Sequence, residues 1–362
     1  MSFRETFIWY SEIKKINLQA CIFVQACFVF INESRQRGRD IKGEGDMIEI
    51  FYKENGQMMV SQSEADFATI PYDSVIWIDL FTPSGDEKRA VEAYLGTVIQ
   101  NRAQAEEIEI SSRFSETEQA IFANTSFLIP GPDEYNEETV SFILTDHVLT
   151  TLRECPLKSF TDLQRRLMAF PKLYNSGHVV FLGIMEQRID LDADMVELVS
   201  KEINQYNRKV SVGEDISEEF LIDINLLQEN TMLIRENIID KQRVISSILK
   251  SPKYPKEYHA RLNVLLKDIS SLINHTDFGF ERLEYLQNTV LGIINLDQNK
   301  IMKVFTLVSL MLMPPTLIAS FFGMNVQFGW IGTSWWSWLI ILGLMAISTA
   351  IIFAIFKKNR MF

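Results

Sequence analysis

Hydrophobic positions follow three successive patterns along the chain, and each predicts a different kind of element. Between Met47 and about residue 180, short apolar or alternating runs are separated by turn residues, as strands are. "MIEIFYKENGQMMVSQ" reads as two strands around an Asn-Gly turn. "SVIWIDLF" reads as a buried strand leading into "TPSGDEKRAVEAYLG", a helix that Thr82 or Ser84 can cap. "AIFANTSFLIP", "ETVSFILTD" and "HVLTTLRE" add three β-rich runs. From about Lys158 the spacing changes to three and four. "TDLQRRLMAF", "DADMVELVSKEINQYNRKV" and "SEEFLIDINLLQENTMLIRENIIDKQRVISSILK" therefore predict helices, and the whole suggests an α/β domain with a helical bundle.

After "SPKYPKEY" the helical spacing holds from about Lys256 to Phe322, with Gly279 and Gly292 as weak breaks. At about 1.5 Å per residue such a helix is roughly 100 Å long. Alone it cannot bury its stripe, so it requires bundled neighbours and implies an oligomer. The third pattern is continuous: no Asp, Glu, Lys, Arg or His occurs between Val304 and Phe356. The runs from Val304 to Phe322 and from Trp335 to Phe356 are each close to the ~20 residues that cross a bilayer. Trp330, Trp335, Trp336 and Trp338 cluster at one end of the second run, as interfacial anchors do. The expected layout is an N-terminal extension (1–46), a cytoplasmic α/β domain with helical bundle (47–255) and a stalk helix (256–303). A first transmembrane helix (304–325), an extracytoplasmic loop (326–334), a second transmembrane helix (335–356) and a basic tail (357–362) complete it.

Residues 1–46 fit this plan poorly. "NLQACIFVQACFVFINES" behind Lys14 and Lys15 resembles a secretory signal, but no small-x-small cleavage pattern follows and its apolar core is too short to span. Lys357, Lys358 and Arg360 should be cytoplasmic, and the 326–334 connection has no Lys or Arg. Two spans then place residues 47–300, and both termini, on the cytoplasmic side of an inner membrane. The first 46 residues read as an upstream extension without a packed role, or else as a membrane-surface segment.

The net charge of −12 argues against nucleic acid, because binding phosphates needs clustered Lys and Arg. Cys21, Cys27 and Cys155 form neither a metal spacing nor a disulfide framework. His147, His178, His259 and His275 fall into no catalytic spacing, so an enzyme is the least favoured reading and no prosthetic group is expected. No phosphate-binding Walker pattern occurs, and neither span carries Asp, Glu or His to relay protons, so if the chain carries an ion the membrane potential is left to drive it.

On the first span, Asn299, Met302, Phe305, Ser309, Met313, Thr316 and Ser320 recur at three and four spacing on one face. By periodicity alone this small, hydroxyl and soft face is either a helix-packing seam or a pathway lining. Pro314 and Pro315 remove the amides that Leu310 and Met311 would bond, a defect tolerated where neighbours or a wet cavity satisfy the carbonyls.

At "MPPTLIASFFGMN" the chain resembles the CorA family of divalent-cation channels. Gly323, Met324 and Asn325 form its Gly-Met-Asn triplet behind the aromatic Phe322, with "IMKVFT" upstream and the basic tail downstream. The resemblance covers about residues 47–362 in layout and is specific from about 298 onward. It implies a funnel-shaped homopentamer with the first spans around the axis, the stripe from Asn299 to Ser320 as pore lining and the triplet as selectivity filter. It implies Mg²⁺ as the ion carried, with Co²⁺ or Ni²⁺ as secondary ions. It also implies closure by cytosolic Mg²⁺ held between subunits, for which Glu106 and Glu107 match one half. Val264 stands at the stalk position of the other half, with Asp268 one turn later; Asp268 with His275, or Asp277 with Glu281 and Glu284, share faces that suit such a site or a solvated surface. The acidic residues the family carries after the triplet are missing from "VQFGWIGTSWW". Rival readings are a transporter of Zn²⁺ or another transition metal on the same scaffold, and a membrane-anchored sensor or scaffold.

Overall fold

The computed structural model describes residues 47–99, 113–131, 135–213, 218–324 and 336–358. They fall into two compact units, one of residues up to Val212 with Glu218–Glu284, the other from Tyr285 on. The strands are β1 (Met47–Glu54), β2 (Gln57–Ser61), β3 (Val75–Phe81), β4 (Phe114–Glu116), β5 (Ala120–Pro130), β6 (Tyr135–Thr145) and β7 (Val148–Arg153). The helices are α1 (Gly85–Leu95), α2 (Lys158–Ala169), α3 (Gly177–Val212), α4 (Glu218–Lys250), α5 (His259–Phe322) and α6 (Ser337–Lys358). An α/β domain, a long helix and two C-terminal apolar helices are thus all present.

The strands form one sheet in the order β2-β1-β3-β7-β6-β5-β4, antiparallel except for β3 and β7. The β1–β2 hairpin turns at Asn55 and Gly56, with φ of 50° and 79°, the left-handed pair that an Asn-Gly turn between twisted strands needs. Ser84, rather than Thr82, caps α1. Its hydroxyl accepts from the Glu87 amide at 3.1 Å while Glu87 accepts from the Ser84 amide at 2.9 Å, a reciprocal box that contributes about 1 kcal/mol.

Alternation along the strands gives the sheet two unlike faces. Ile48, Ile50, Ile78, Leu80, Ile143 and Val148 form an aliphatic face packed with Val91 of α1. The opposite face is aromatic: Phe51 stacks on Trp77 at 4.6 Å between centroids, Trp77 meets Phe160 of α2 at 5.9 Å, and Phe142 meets Phe181 of α3 at 5.2 Å. Each such ring, when fully buried, contributes on the order of 2–3 kcal/mol.

Buried charge sits within that aromatic face. Trp77 Nε1 donates to Thr151 Oγ1 at 2.9 Å, and Thr151 donates to Asp79 at 2.7 Å. Asp79 also accepts from Arg153 at 2.8 Å. The Arg153 guanidinium lies 4.8 Å from the ring centres of both Phe81 and Phe160. This chain of contacts ties β3 to β7, the parallel pair. Glu49 is the cross-strand partner of Asp79, and burial together with the Asp79 charge raises its pKa. A second set joins α3 and α4 to β5. Asp192 lies 2.6 Å from Arg188 and 3.1 Å from the fully buried Lys241, Arg188 donates to the Leu128 carbonyl at 2.9 Å, and Asn237 donates to the Ser126 carbonyl at 2.8 Å. Burial pulls Lys241 down to about 8. Such sets are costly to break singly, because the partner left behind is an uncompensated buried charge.

Helix α3 begins at Gly177, well before its three-and-four spacing becomes visible. Val179, Val180, Phe181, Leu182, Ile184 and Met185 are all buried, so this first part has no polar side to mark a period. Gly177 is fixed by proximity: a Cβ there would lie 2.1 Å from the Leu149 amide nitrogen of β7. Gly177→Ala is expected to destabilise the protein by about 1–3 kcal/mol or more, read as a fall in the thermal midpoint.

His178 follows, 6% exposed, with its ring 5.0 Å from Tyr254. Burial, reinforced by His147, pushes its pKa down to about 4. The folded protein thus disfavours a proton that the unfolded chain takes up near the ordinary value of about 6.5. The stability from keeping His178 neutral is complete above pH 6.5 and is lost progressively as pH falls toward 4, by about 3 kcal/mol at the lower end. Denaturation followed across that range should give a shallower pH slope for His178→Asn than for the unaltered protein.

Candidate functional site

The chemistry implied by the spans lies on the second unit, where α5 and α6 are both long and apolar enough to cross a membrane. Helix α5 runs unbroken to Phe322 despite Pro314 and Pro315. The prolines leave the Leu310 and Met311 carbonyls without amide donors. Nearby hydroxyls bond backbone instead: Thr316 donates to the Leu312 carbonyl at 2.7 Å and Thr306 to that of Met302 at 2.8 Å. With its proton committed, the Thr316 oxygen presents lone pairs outward.

Two opposite faces divide this part of α5. Leu307 is buried, and Met311, Pro314, Pro315, Ile318 and Phe322 are half-buried, again at three and four spacing. On the other side Asn299, Met302, Phe305, Ser309, Met313, Thr316 and Ser320 are all exposed, Met302, Phe305 and Met313 by 61%, 68% and 64%. Acyl chains would offer no partner to the Asn299 amide, to the Ser309 and Ser320 hydroxyls or to the outward lone pairs of Thr316. The stripe is therefore a surface for other helices or for water.

At the end of the helix the Gly323 amide donates to the Ala319 carbonyl at 2.9 Å. A Cβ on Gly323 would approach that oxygen at 3.0 Å, tighter than an ordinary contact. Met324 is 56% exposed. Asn325 lies outside the described residues. The converging carbonyls of the last turn give this end of α5 a partial negative charge without a titratable group.

The acidic candidates belong to the first unit. Glu106 and Glu107 lie outside the described residues. Asp268 is exposed on α5, one turn from Val264, itself 61% exposed. Asp277 is engaged within the chain by Arg235 of α4. His275 borders a water-sized cavity of about 10 Å³ where α3, α4 and α5 meet, with Ser200, Thr231 and Thr276. Among the described residues no three His, Cys, Asp or Glu side chains are grouped to hold a metal ion. The covered face of α5 and the Arg235–Asp277 contact escape the sequence reading. The first is signalled by Leu307, Met311, Ile318 and Phe322 at helical spacing; the second, joining residues far apart in the chain, leaves no local signal.

The chain matches known proteins over most of its length. The profile of a family described as CorA-like Mg2+ transporter protein matches residues 72–358. The Magnesium transport protein CorA of Wolinella succinogenes is 33% identical over 321 residues, 87% of this chain and 99% of its own. The protein of the same name from Escherichia coli (strain K12) is 29% identical over 285 residues, 78% of this chain and 89% of its own. The complete structure of the CorA magnesium transporter from Methanocaldococcus jannaschii has a TM-score of 0.71 at 16% identity, over 88% of this chain and 99% of that one. The ZntB cytoplasmic domain from Vibrio parahaemolyticus has a TM-score of 0.52 at 16% identity, over 70% of this chain and 100% of that domain. At these identities both likenesses concern the fold.

The Arg235 and Asp277 side chains are 39% and 45% exposed. A double-mutant cycle with Arg235→Ala and Asp277→Ala is expected to give a coupling below about 1 kcal/mol, as half-exposed pairs do.

Proposed function

Because the chain belongs to the CorA-like Mg2+ transporter family, we propose that it forms a channel for passive Mg²⁺ influx driven by the membrane potential. A CorA-family divalent-cation transporter with two candidate membrane spans has few ways to enclose a path. One chain cannot do so, and a homopentamer with α5 around the axis would turn the stripe from Asn299 to Ser320 inward. The observation that carries this reading is the exposed polar face of α5, opposite its covered face, leading to Gly323 and Met324.

Mg²⁺ dehydrates reluctantly and keeps several of its waters. A ring of Asn325 amides and Gly323 carbonyls would read the hydrated ion through neutral oxygens, and a ring of carboxylates would hold it too tightly to release. Five helix C-termini supply attraction without fixed charge. The potential contributes about 2.3 kcal/mol per charge per 100 mV, roughly 4.6 for a divalent ion, which supports a gradient of about three orders of magnitude. Co²⁺ and Ni²⁺ are secondary ions in this proposal. Cytosolic Mg²⁺ regulates through carboxylates that include Glu106, Glu107 and Asp268. Lys357, Lys358 and Arg360, set against a 326–334 connection without Lys or Arg, support an inner membrane with both termini cytoplasmic.

The test is ion influx into proteoliposomes at inside-negative potential, with the unaltered protein beside Asn325→Ala and with Zn²⁺ in parallel. Mg²⁺ should enter, and Asn325→Ala should abolish flux or make it unselective. Zn²⁺ flux without Mg²⁺ flux from an assembled oligomer would move the assignment to a zinc transporter, and no flux of either ion to a membrane-anchored sensor.

A further inference from the structure

Ahead of the apolar span, between Tyr285 and Lys303, helix α5 has two unlike sides. Leu286 and Val290 are buried, covered within the chain, and Ile293 continues their side half-buried. On the opposite side Tyr285, Asn288, Gly292, Asn295 and Asn299 are exposed and recur at three and four spacing. Counted in sevens, this row stays in phase with Met302, Ser309, Met313, Thr316 and Ser320, so the stripe of the span continues unbroken toward the start of the helix. The charged residues of the stretch, Asp297, Lys300 and Lys303, all lie off the row. Asn and Gly in a helix interior give up helix stability. Packing within the chain does not ask for the glycine, because a Cβ on Gly292 would meet nothing within 4 Å.

Two leucines flank the polar row, one on each side: Leu291 is 43% exposed and Leu296 64%. Where parallel helices pack side by side in register, a residue on one flank of the seam meets, on the neighbouring helix, the residue five positions further along. Leu291 and Leu296 stand at that spacing, and the exposed Leu312 and Leu317 repeat it three heptads on. The two flanks are therefore complementary to each other, and the surface that fits them is α5 of a second copy running the same way. Such packing turns the row between the leucines inward, away from the contact and toward a shared lumen.

We propose that each α5 packs Leu291 against Leu296 of the next copy, so that Asn288, Gly292 and Asn295 line a neutral tube that continues the path ahead of the span and takes a hydrated divalent cation. The carboxamide oxygens accept hydrogen bonds from the waters the ion retains, and the missing side chain at Gly292 leaves room for them. The inference rests on the channel reading, in which α5 is the lining span and all copies share one orientation.

Disulfide trapping in the full-length protein tests the contact, with the unaltered chain and its Cys21, Cys27 and Cys155 as background. Under a mild oxidant, Leu291→Cys combined with Leu296→Cys should give a ladder of linked copies larger than a dimer, and either substitution alone should not. Leu312→Cys with Leu317→Cys should give the same ladder and supplies the comparison if the first pair does not assemble. For the lumen, Asn295→Cys places a ring of thiols around the path, so the assembled variant should retain Cd²⁺ through desalting, whereas Ile301→Cys, exposed but off the row, should not. No ladder from either double variant, an equal ladder from the single variants, or equal Cd²⁺ retention by Asn295→Cys and Ile301→Cys would each overturn the inference. Mg²⁺ flux without the ladder would sink this inference alone; the ladder and Cd²⁺ capture without flux would sink only the channel reading.

Discussion

A bilayer core offers the backbone no hydrogen-bond partner, and everything from Asn299 onward answers to that constraint. Both spans are helices because only a helix satisfies its own amides and carbonyls within one segment. The same constraint makes the departures informative. Pro314 and Pro315 leave the Leu310 and Met311 carbonyls without amides, Thr316 gives its hydroxyl proton to Leu312, and an amide and three hydroxyls share one exposed face. Polar groups placed there need water or other helices, and a single chain with two spans can enclose no water. In the proposed channel, assembly into a ring would supply the path.

The first unit meets the opposite problem, since its charged groups are buried in a protein core. Asp79 and Arg153 are held between aromatic rings at the parallel strand pair, and Lys241 is wholly enclosed beside Asp192. Each charge has a partner, so the cost falls on any change that removes one side. Stability in this unit therefore depends on pairing among residues distant in sequence. In the proposed channel, conduction through the second unit would depend on neutral oxygens and on the absence of fixed charge along the stripe. The family likeness joins the two, because the matched profile covers most of both.

Much of the candidate site could be read before any coordinates. The stripe, the double proline and the triplet are local features whose meaning follows from helical spacing and from a charge-free stretch. Less local features were not legible. Asp277 has the spacing of an interfacial acidic face, yet Arg235 of α4 engages it within the chain. His275 borders a small three-helix cavity that no spacing announces.

The sequence by itself determined element types wherever one side of an element meets water, because exposure imposes a period of two or of three to four residues. It determined the β1–β2 turn at Asn55 and Gly56, the helical run to Phe322 and the two C-terminal apolar helices. Only the tertiary structure decided that β3 pairs in parallel with β7, that α3 begins at Gly177, and that Leu307 faces away from the stripe. Residues buried on all sides carry no period. Contacts between distant segments depend on shape and charge complementarity that no local pattern encodes.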